Sequence, residues 1–437
     1  MVAEKEKEIT VIGAGIVGLI AAYYFNKAGL KVSVIDKGPD PLTSYDRHKT
    51  GTTFSGGNAR HVSATETTPH AASSMNGLIY RSPAEGGWLA KDKLALTDVE
   101  LEWMDHFNRL TWKKELFAEF TQTVIDVNNQ GKALWRKLMK EDRKLFQDTN
   151  IHGPATVFFV DDATFRSETI TESRANTSVS ILSPKQIMSG YPALRNAVVR
   201  ETIVGGLIID SFALNAISFC KNVINQLKSD GVNFRWNQIV NNVADTGKAS
   251  DYYFVSTGAA KQDFLTGDNH DKIMGVVGVW IKIPNPGLLG PIKIATPYPS
   301  GYINGTIENQ SLVLSGGYGF IGQDKLDEQS EGIQALFEDL RTNVANIFPT
   351  SYATALKEKT LDQKACVRPM KSSGLGVFEV LNRDGYKLIF AGGNNAGGFT
   401  QAPAIAEAAL EVIRTGDSPL RLAYSEDRLL YRNPRYP

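Results

Sequence analysis

Gly13, Gly15 and Gly18 form the pattern G-x-G-x-x-G between the β-branched run Ile9–Ile12 and an apolar stretch of helical spacing. That spacing suits the binding of a dinucleotide. The first glycine permits a tight turn, the second lets the backbone approach a pyrophosphate, and the third lets helix and strand pack closely. Free N–H groups and the positive dipole end at the helix start favour the anion. Asp36 closes the next strand-like run, where its carboxylate can accept hydrogen bonds from ribose hydroxyls. Strand, turn, helix and acid in register make Gly13, Ala14, Gly15, Ile16, Val17, Gly18, Asp36 and the adjacent Lys37 cofactor-binding candidates. The motif alone fits NAD and FAD equally.

Other reactive patterns are missing. H-E-x-x-H and C-x-x-C do not occur, and the six histidines are scattered, so no metal site is indicated. G-x-S-x-G is absent, which argues against a serine nucleophile on an elbow. Cys220 and Cys366 lie far apart and form neither a disulfide framework nor a zinc cluster, a usage that fits a reducing cytoplasm. His61, beside Arg60, reads as a structural or supporting residue.

The elements that must hold these residues follow from periodicity. Ile9–Ile12 predicts a strand, Ile16 to Ala28 a helix stopped by Gly29, and Lys31 to Asp36 a second strand, giving a βαβ unit. From Pro39 to Pro69 the chain is polar, aperiodic and longer than an ordinary connection, and it contains SGGNARH. Between Asp98 and about Asn150, apolar residues recur at helical spacing, predicting one or two amphipathic helices. ATVFFVDD and RETIVGGLIID read as strands, and SFALNAISFCKNVINQLKSDG as a helix capped by Ser211 and stopped by Gly231. VNFRWNQIVNNV and YYFVSTGAA return to strand. MGVVGVWIKI, GYINGTI and SLVLSGGYGF suggest an antiparallel sheet, EGIQALFEDLRTNVANIF a helix, and YKLIFAGG a buried strand. APAIAEAALEVIRTG predicts a last helix with Pro403 near its start and Gly416 beyond its end.

At 437 residues the chain exceeds the size of one core, and 42% hydrophobic with 22% charged residues is ordinary globular usage. The 47 basic and 47 acidic residues cancel, so no long-range field gathers nucleic acid or anionic lipid. No apolar run reaches the length of a membrane span, and no transmembrane segment is expected.

Four separated pieces, in order, resemble the D-amino acid oxidase superfamily of FAD-dependent oxidoreductases, which includes glycine oxidase, sarcosine oxidase and D-amino acid dehydrogenases. They are VIGAGIVGLIAAYYFNKAGLKVSVIDKG, SGGNARHVS, VNFRWNQIVNNV with DYYFVSTGAA, and CVRPMKSSGLG with YKLIFAGGNNAGGFTQAPAIAEAAL. The closing pair, an Arg-Pro strand followed by a glycine-rich loop and helix, is the most specific. The resemblance implies FAD as cofactor, with Asp36 standing where this group usually has Glu. It places Ser55, Gly57, Asn58, Ala59 and Arg60 beside the flavin, Val240 at the adenine, Gly258 and Ala259 at a strand end near the cofactor, and Gly397, Gly398, Phe399 and Thr400 at the flavin's pyrimidine side. It also implies that Arg368 holds a substrate carboxylate, with Tyr302 or Tyr318 completing the clamp. Asn394-Asn395-Ala396 stands where some relatives carry a second Arg, and Cys366 lies close to where sarcosine-oxidase-like members attach FAD covalently.

The expected fold is α/β, a Rossmann-like FAD-binding domain from 1–80, 205–270 and 361–437 with a discontinuous antiparallel-sheet substrate domain from 81–204 and 271–360. The expected reaction is oxidation of a C–N bond in an amino acid or related carboxylate-bearing amine, with hydride passing from Cα to flavin N5 and the imine hydrolysing. Electrons then pass to oxygen or another acceptor. An NAD-dependent dehydrogenase and a noncatalytic flavoprotein of the same fold are the alternatives.

Overall fold

The computed structural model describes residues 7–44, 53, 60–66, 75–260, 265 and 272–426. Two sheets organise them. The smaller has six strands in the order Val377–Arg383, Tyr386–Gly392, Tyr252–Val255, Glu8–Ile12, Lys31–Ile35 and Asn233–Arg235. It is parallel except for the antiparallel pair at its Val377–Arg383 edge. Helices Ile16–Lys27, Lys114–Glu141, Ala216–Ser229 and Gly398–Thr415 share one apolar core with it, in which Ile20, Phe25, Trp135, Phe219 and Phe254 are fully buried. Strands buried this way read as near-continuous apolar runs, which is why VIG, VSVI and LIFAG were legible.

The larger sheet runs Asp362–Lys371, Ile273–Pro284, Ser311–Gly322, Tyr302–Glu308, Ile292–Ala295, Ala155–Phe159, Gly205–Ile209 and Ser178–Leu182. Helices Glu331–Ile347 and Pro349–Lys357 cover one face with Val277, Val279, Ile281, Leu312 and Leu314. The opposite face carries the polar residues of the site.

The α/β class and the first βαβ unit match the expectation, with the first helix at Ile16–Lys27 and Gly29 at φ 81° beyond it. The region from Asp98 holds two helices, Asp98–Leu110 and Lys114–Glu141. Several expectations need correction. The larger sheet is mixed, because Ile292–Ala295 pairs in parallel with Ala155–Phe159. Ser211 caps no helix. Its hydroxyl accepts from the Ala155 N–H, Phe212–Ala213 pairs with His61–Val62, and Asn215 caps the helix by accepting from Ile217 and Ser218. In VNFRWNQIVNNV only Asn233–Arg235 is strand, since Asn237 takes a left-handed φ of 56° and turns the chain aside. The helix expected to be last starts at Gly398, carries Pro403 inside it and is followed by a short helix, Pro419–Ala423. Sheet pairing places Gly205–Ile209 and Asp362–Lys371 in the larger sheet.

A buried carboxylate ties the Asp98–Leu110 helix to the larger sheet. Thr97 and Glu100 form a reciprocal cap, and Glu100 also accepts from the Gln323 N–H at 2.9 Å and from Lys91 Nζ at 3.0 Å on both oxygens. Burial opposes its charge, but the Thr97 and Gln323 N–H groups and the Lys91 ammonium outweigh that and hold its carboxyl below the ordinary 4.5. Glu100→Ala leaves Lys91 with Asp324 as its carboxylate partner and strips the Thr97 and Gln323 N–H groups of their acceptor, and is expected to cost about 1–3 kcal/mol, read as a lowered urea midpoint. Because the folded pKa is depressed, the wild-type contribution is complete above 4.5 and is lost as pH falls through the folded value. The gap between wild type and variant should therefore narrow in acid.

Candidate active site

A cavity of 690 Å³ lies between the two sheets, within the range of cofactor and ligand sites. The glycine turn forms one wall. Gly13 has φ 102°, and a Cβ there would stand 2.4 Å from the Ser256 carbonyl oxygen. A Cβ on Gly18 would stand 1.8 Å from the Gly13 oxygen. Gly15 is different, since its nearest neighbour would be Thr53 Oγ1 at 3.4 Å and its open side faces the cavity. Asp36 accepts from the Ala14 N–H at 2.7 Å and the Gly38 N–H at 2.6 Å, which fixes its carboxylate at the end of the Lys31–Ile35 strand.

Gly13, Ala14, Gly15, Ile16, Val17, Asp36, Lys37, Arg60, Val240, Gly258, Ala259, Gly398, Phe399 and Arg368 all line this one cavity. Gly18 lies behind it. Ser55, Gly57, Asn58 and Ala59 lie outside the described residues. Gly397 and Thr400 support the wall: the Gly397 N–H donates to the Asn394 carbonyl, and the Thr400 hydroxyl donates to the His61 carbonyl. With the helix beginning at Gly398, its first turn meets the cavity directly. Trp135 braces that turn by stacking on Phe399 at 5.2 Å and donating from Nε1 to the Phe399 carbonyl. Gln401 joins Asn394, Asn128 and Tyr424 in one buried network behind the loop.

Several buried polar atoms at the cavity lack partners. Arg60 uses Nη1 on Glu308 at 2.9 Å, while its Nε and Nη2 have none, and Ser256 Oγ and Asn395 Oδ1 are in the same position. Leaving such groups unpaired costs free energy. Guanidinium N–H groups, a hydroxyl, a helix start and an open glycine suit a phosphate-bearing cofactor with a polar ribityl chain. The residues present therefore fit FAD.

Arg368 enters from the edge strand of the larger sheet. Its Nη1 donates to the Gly317 carbonyl at 2.7 Å, and its guanidinium lies 5.1 Å from the centre of the Tyr318 ring. Tyr318 is itself stacked on Trp88 at 4.6 Å with an 11° interplanar angle. Gly278 on the neighbouring strand makes the space, for a Cβ there would stand 2.0 Å from Arg368 Nη2. The two candidate tyrosines therefore differ in placement. Neither lines the cavity; Tyr318 props Arg368, and Tyr302 lies beside Glu168, a carboxyl raised by burial and by Glu172. Cys366 also lines the cavity and packs with Trp280 and Val313.

The cap face adds residues that the motifs did not single out. Trp280, Ser315, Asn304 and Lys293 sit side by side in register on four adjacent strands. Lys293 Nζ is paired with Glu66, and both are buried. His61 and Glu66 line the cavity against this face, His61 beside Gly305 and Glu66 beside Lys293. One signal was available in PIKIA and GYINGT, where a lysine and an asparagine alternate with isoleucines that face the core.

Among the described residues, no helix is long and apolar enough to cross a membrane, and no group of three His, Cys, Asp or Glu residues is placed to hold a metal ion.

Comparison with known proteins agrees with this geometry. A family model described as FAD dependent oxidoreductase matches residues 8–412. A D-amino acid dehydrogenase from Vibrio cholerae serotype O1 (strain M66-2) is 25% identical over 244 residues, 55% of this chain and 55% of that protein. The aligned part thus spans about half the length of the curated relative. Among solved structures, iminodiacetate oxidase from Chelativorans sp. BNC1 has a TM-score of 0.61 at 17% identity, covering 95% of this chain and 98% of that one. L-proline dehydrogenase from P. horikoshii has a TM-score of 0.62 at 15% identity, covering 98% and 99%. At these identities the structural likeness is one of fold.

Proposed function

The chain belongs to the family of FAD dependent oxidoreductases, and from that premise we propose that it oxidises the C–N bond of an amino acid or a related carboxylate-bearing amine. The observation that carries this reading is Arg368, a cation held in fixed geometry on the same cavity as the glycine turn. Bound FAD supplies the two-electron acceptor for hydride from the substrate Cα.

The chain's own residues bind and orient. Gly13 to Val17 would hold the pyrophosphate, Asp36 the ribose, and Arg60 with Ser256 the polar linkage between the rings. The first turn of the Gly398–Thr415 helix, on the cavity wall, would offer N–H groups and a dipole end to the negative charge that bound FAD gains on reduction. Arg368 fixes the carboxylate through charge-assisted bonds, which brings Cα to a single position. The substrate carbon loses hydride and its nitrogen a proton. Water then adds to the imine and releases the oxo acid and the amine or ammonia. Electrons leave for oxygen or another acceptor. Tyr318 acts through Arg368, since its ring face lies beneath the guanidinium.

Incubation with a panel of D- and L-amino acids, N-methyl amino acids and iminodicarboxylates tests this reading. Formation of a 2-oxo acid from at least one member, and none from the matching decarboxylated amines, is expected. Equal oxidation of the decarboxylated amines would remove Arg368 from the substrate site.

A further inference from the structure

Three hydrogen-bond acceptors share the cavity with Arg368. His61 Nε2 stands 3.3 Å from the Gly305 carbonyl oxygen, and a carbonyl only accepts, so Nε2 carries the ring proton. Burial, reinforced by the Lys293 cation, pushes the imidazole pKa down to about 3. The ring is therefore neutral at physiological pH, and Nδ1 offers a lone pair; that atom is buried and unpartnered. Asn304 Oδ1, also buried and unpartnered, belongs to the residue next to Gly305 on the same strand. Glu66 is the third. Burial opposes its charge, but Lys293 prevails and keeps it ionised. Its carboxylate feels the Arg368 cation, and all four residues line the same cavity.

Such a wall is complementary to N–H. Arg368 supplies donors for a carboxylate, whereas His61 Nδ1, Asn304 Oδ1 and Glu66 supply acceptors. We infer that His61, Glu66 and Asn304 form the subsite for the substrate nitrogen, on the same side of the cavity as the Arg368 anchor, and select primary and secondary amines over compounds without an N–H. The inference rests on the proposed amine oxidation and adds to it the side chains that recognise the nitrogen. A nitrogen bound there is held by its hydrogens, which leaves its lone pair free to assist departure of hydride from the neighbouring carbon. A site built around buried acceptors rejects an analogue that cannot donate to them.

Two matched probes test it: iminodiacetate, and diglycolate, in which an ether oxygen replaces the N–H between the same two carboxylates. Each is titrated anaerobically into the FAD-loaded protein, and the half-saturating concentration is read from perturbation or bleaching of the flavin absorbance. Wild type is expected to prefer iminodiacetate by about tenfold or more. Asn304→Leu should keep its flavin, leave the diglycolate midpoint unchanged and lose most of that preference. The double variant Glu66→Leu, Lys293→Met removes both buried charges and the carboxylate acceptor together and should lose the preference as well, so the test does not depend on one variant's folding. Equal affinity of wild type for the two probes would overturn the inference. So would equal weakening of both probes in Asn304→Leu, release of flavin from that variant, or no response of the wild-type flavin to either probe. If another amine of the panel still yields its oxo acid in any of these cases, the proposed function stands and only the nitrogen subsite falls.

Discussion

Gly18→Val is expected to give a protein that is both destabilised and colourless. The added Cβ would meet the Gly13 carbonyl oxygen at 1.8 Å, and both atoms belong to backbone, so no side chain can swing aside. Either the first strand or its helix must move, and the turn that presents N–H groups to the pyrophosphate moves with it. Overpacking of this type costs about 1–3 kcal/mol in stability, and a comparable loss in cofactor binding weakens FAD by about fivefold to more than a hundredfold. Gly15→Val separates the two effects. A side chain there enters the cavity instead of the fold, with its nearest neighbour 3.4 Å away, so FAD affinity should fall while the urea midpoint of the flavin-free protein stays near wild type. Flavin titration and denaturation of both variants check the pair. Equal loss of stability in Gly15→Val and Gly18→Val would contradict the assignment of roles.

Arg368→Leu is expected to raise KM for a carboxylate-bearing amine by about tenfold or more, since a hydrogen bond to a charged group contributes about 1.5–3 kcal/mol. FAD should remain bound. The guanidinium is held by the Gly317 carbonyl and the Tyr318 ring, away from the glycine turn and Asp36. Arg368→Lys keeps the charge but loses the planar fork, so it should fall between wild type and leucine. Steady-state kinetics with the fastest amine of the panel, beside a flavin-to-protein ratio, reads both effects. An unchanged KM would exclude Arg368 from substrate binding.

What the sequence made legible was local. G-x-G-x-x-G with its strand, helix and Asp36 is a contiguous unit whose spacing follows from backbone sterics and one ligand, so it is recovered as built. Arg368 and the Gly398 turn were placed by resemblance, and the structure brings both to the cavity. The less legible part is non-local. Asn304, Ser315 and Lys293 come together only through strand register, and Glu66 reaches Lys293 across 227 positions. Gly278 gives Arg368 its room from a different strand, which no linear pattern encodes. The helix ends failed for a related reason. Ser211 looks like a cap, yet a strand pairing claims it, and Pro403 looks like a helix start, yet a glycine-led first turn precedes it. Tyr318 and Tyr302 share strand-like contexts, and only their neighbours, Arg368 for one and Glu168 for the other, tell them apart.

The central claim is that the cavity between the two sheets carries a flavin that a carboxylate-bearing amine reduces. Anaerobic mixing of the FAD-loaded protein with the amine panel tests it most directly, because loss of the yellow oxidised absorbance requires electrons from the added compound. The account predicts bleaching by at least one carboxylate-bearing amine, much slower in Arg368→Leu at the same subsaturating concentration. A flavin that stays oxidised with every member of the panel, or bleaches equally fast in the variant, would contradict it.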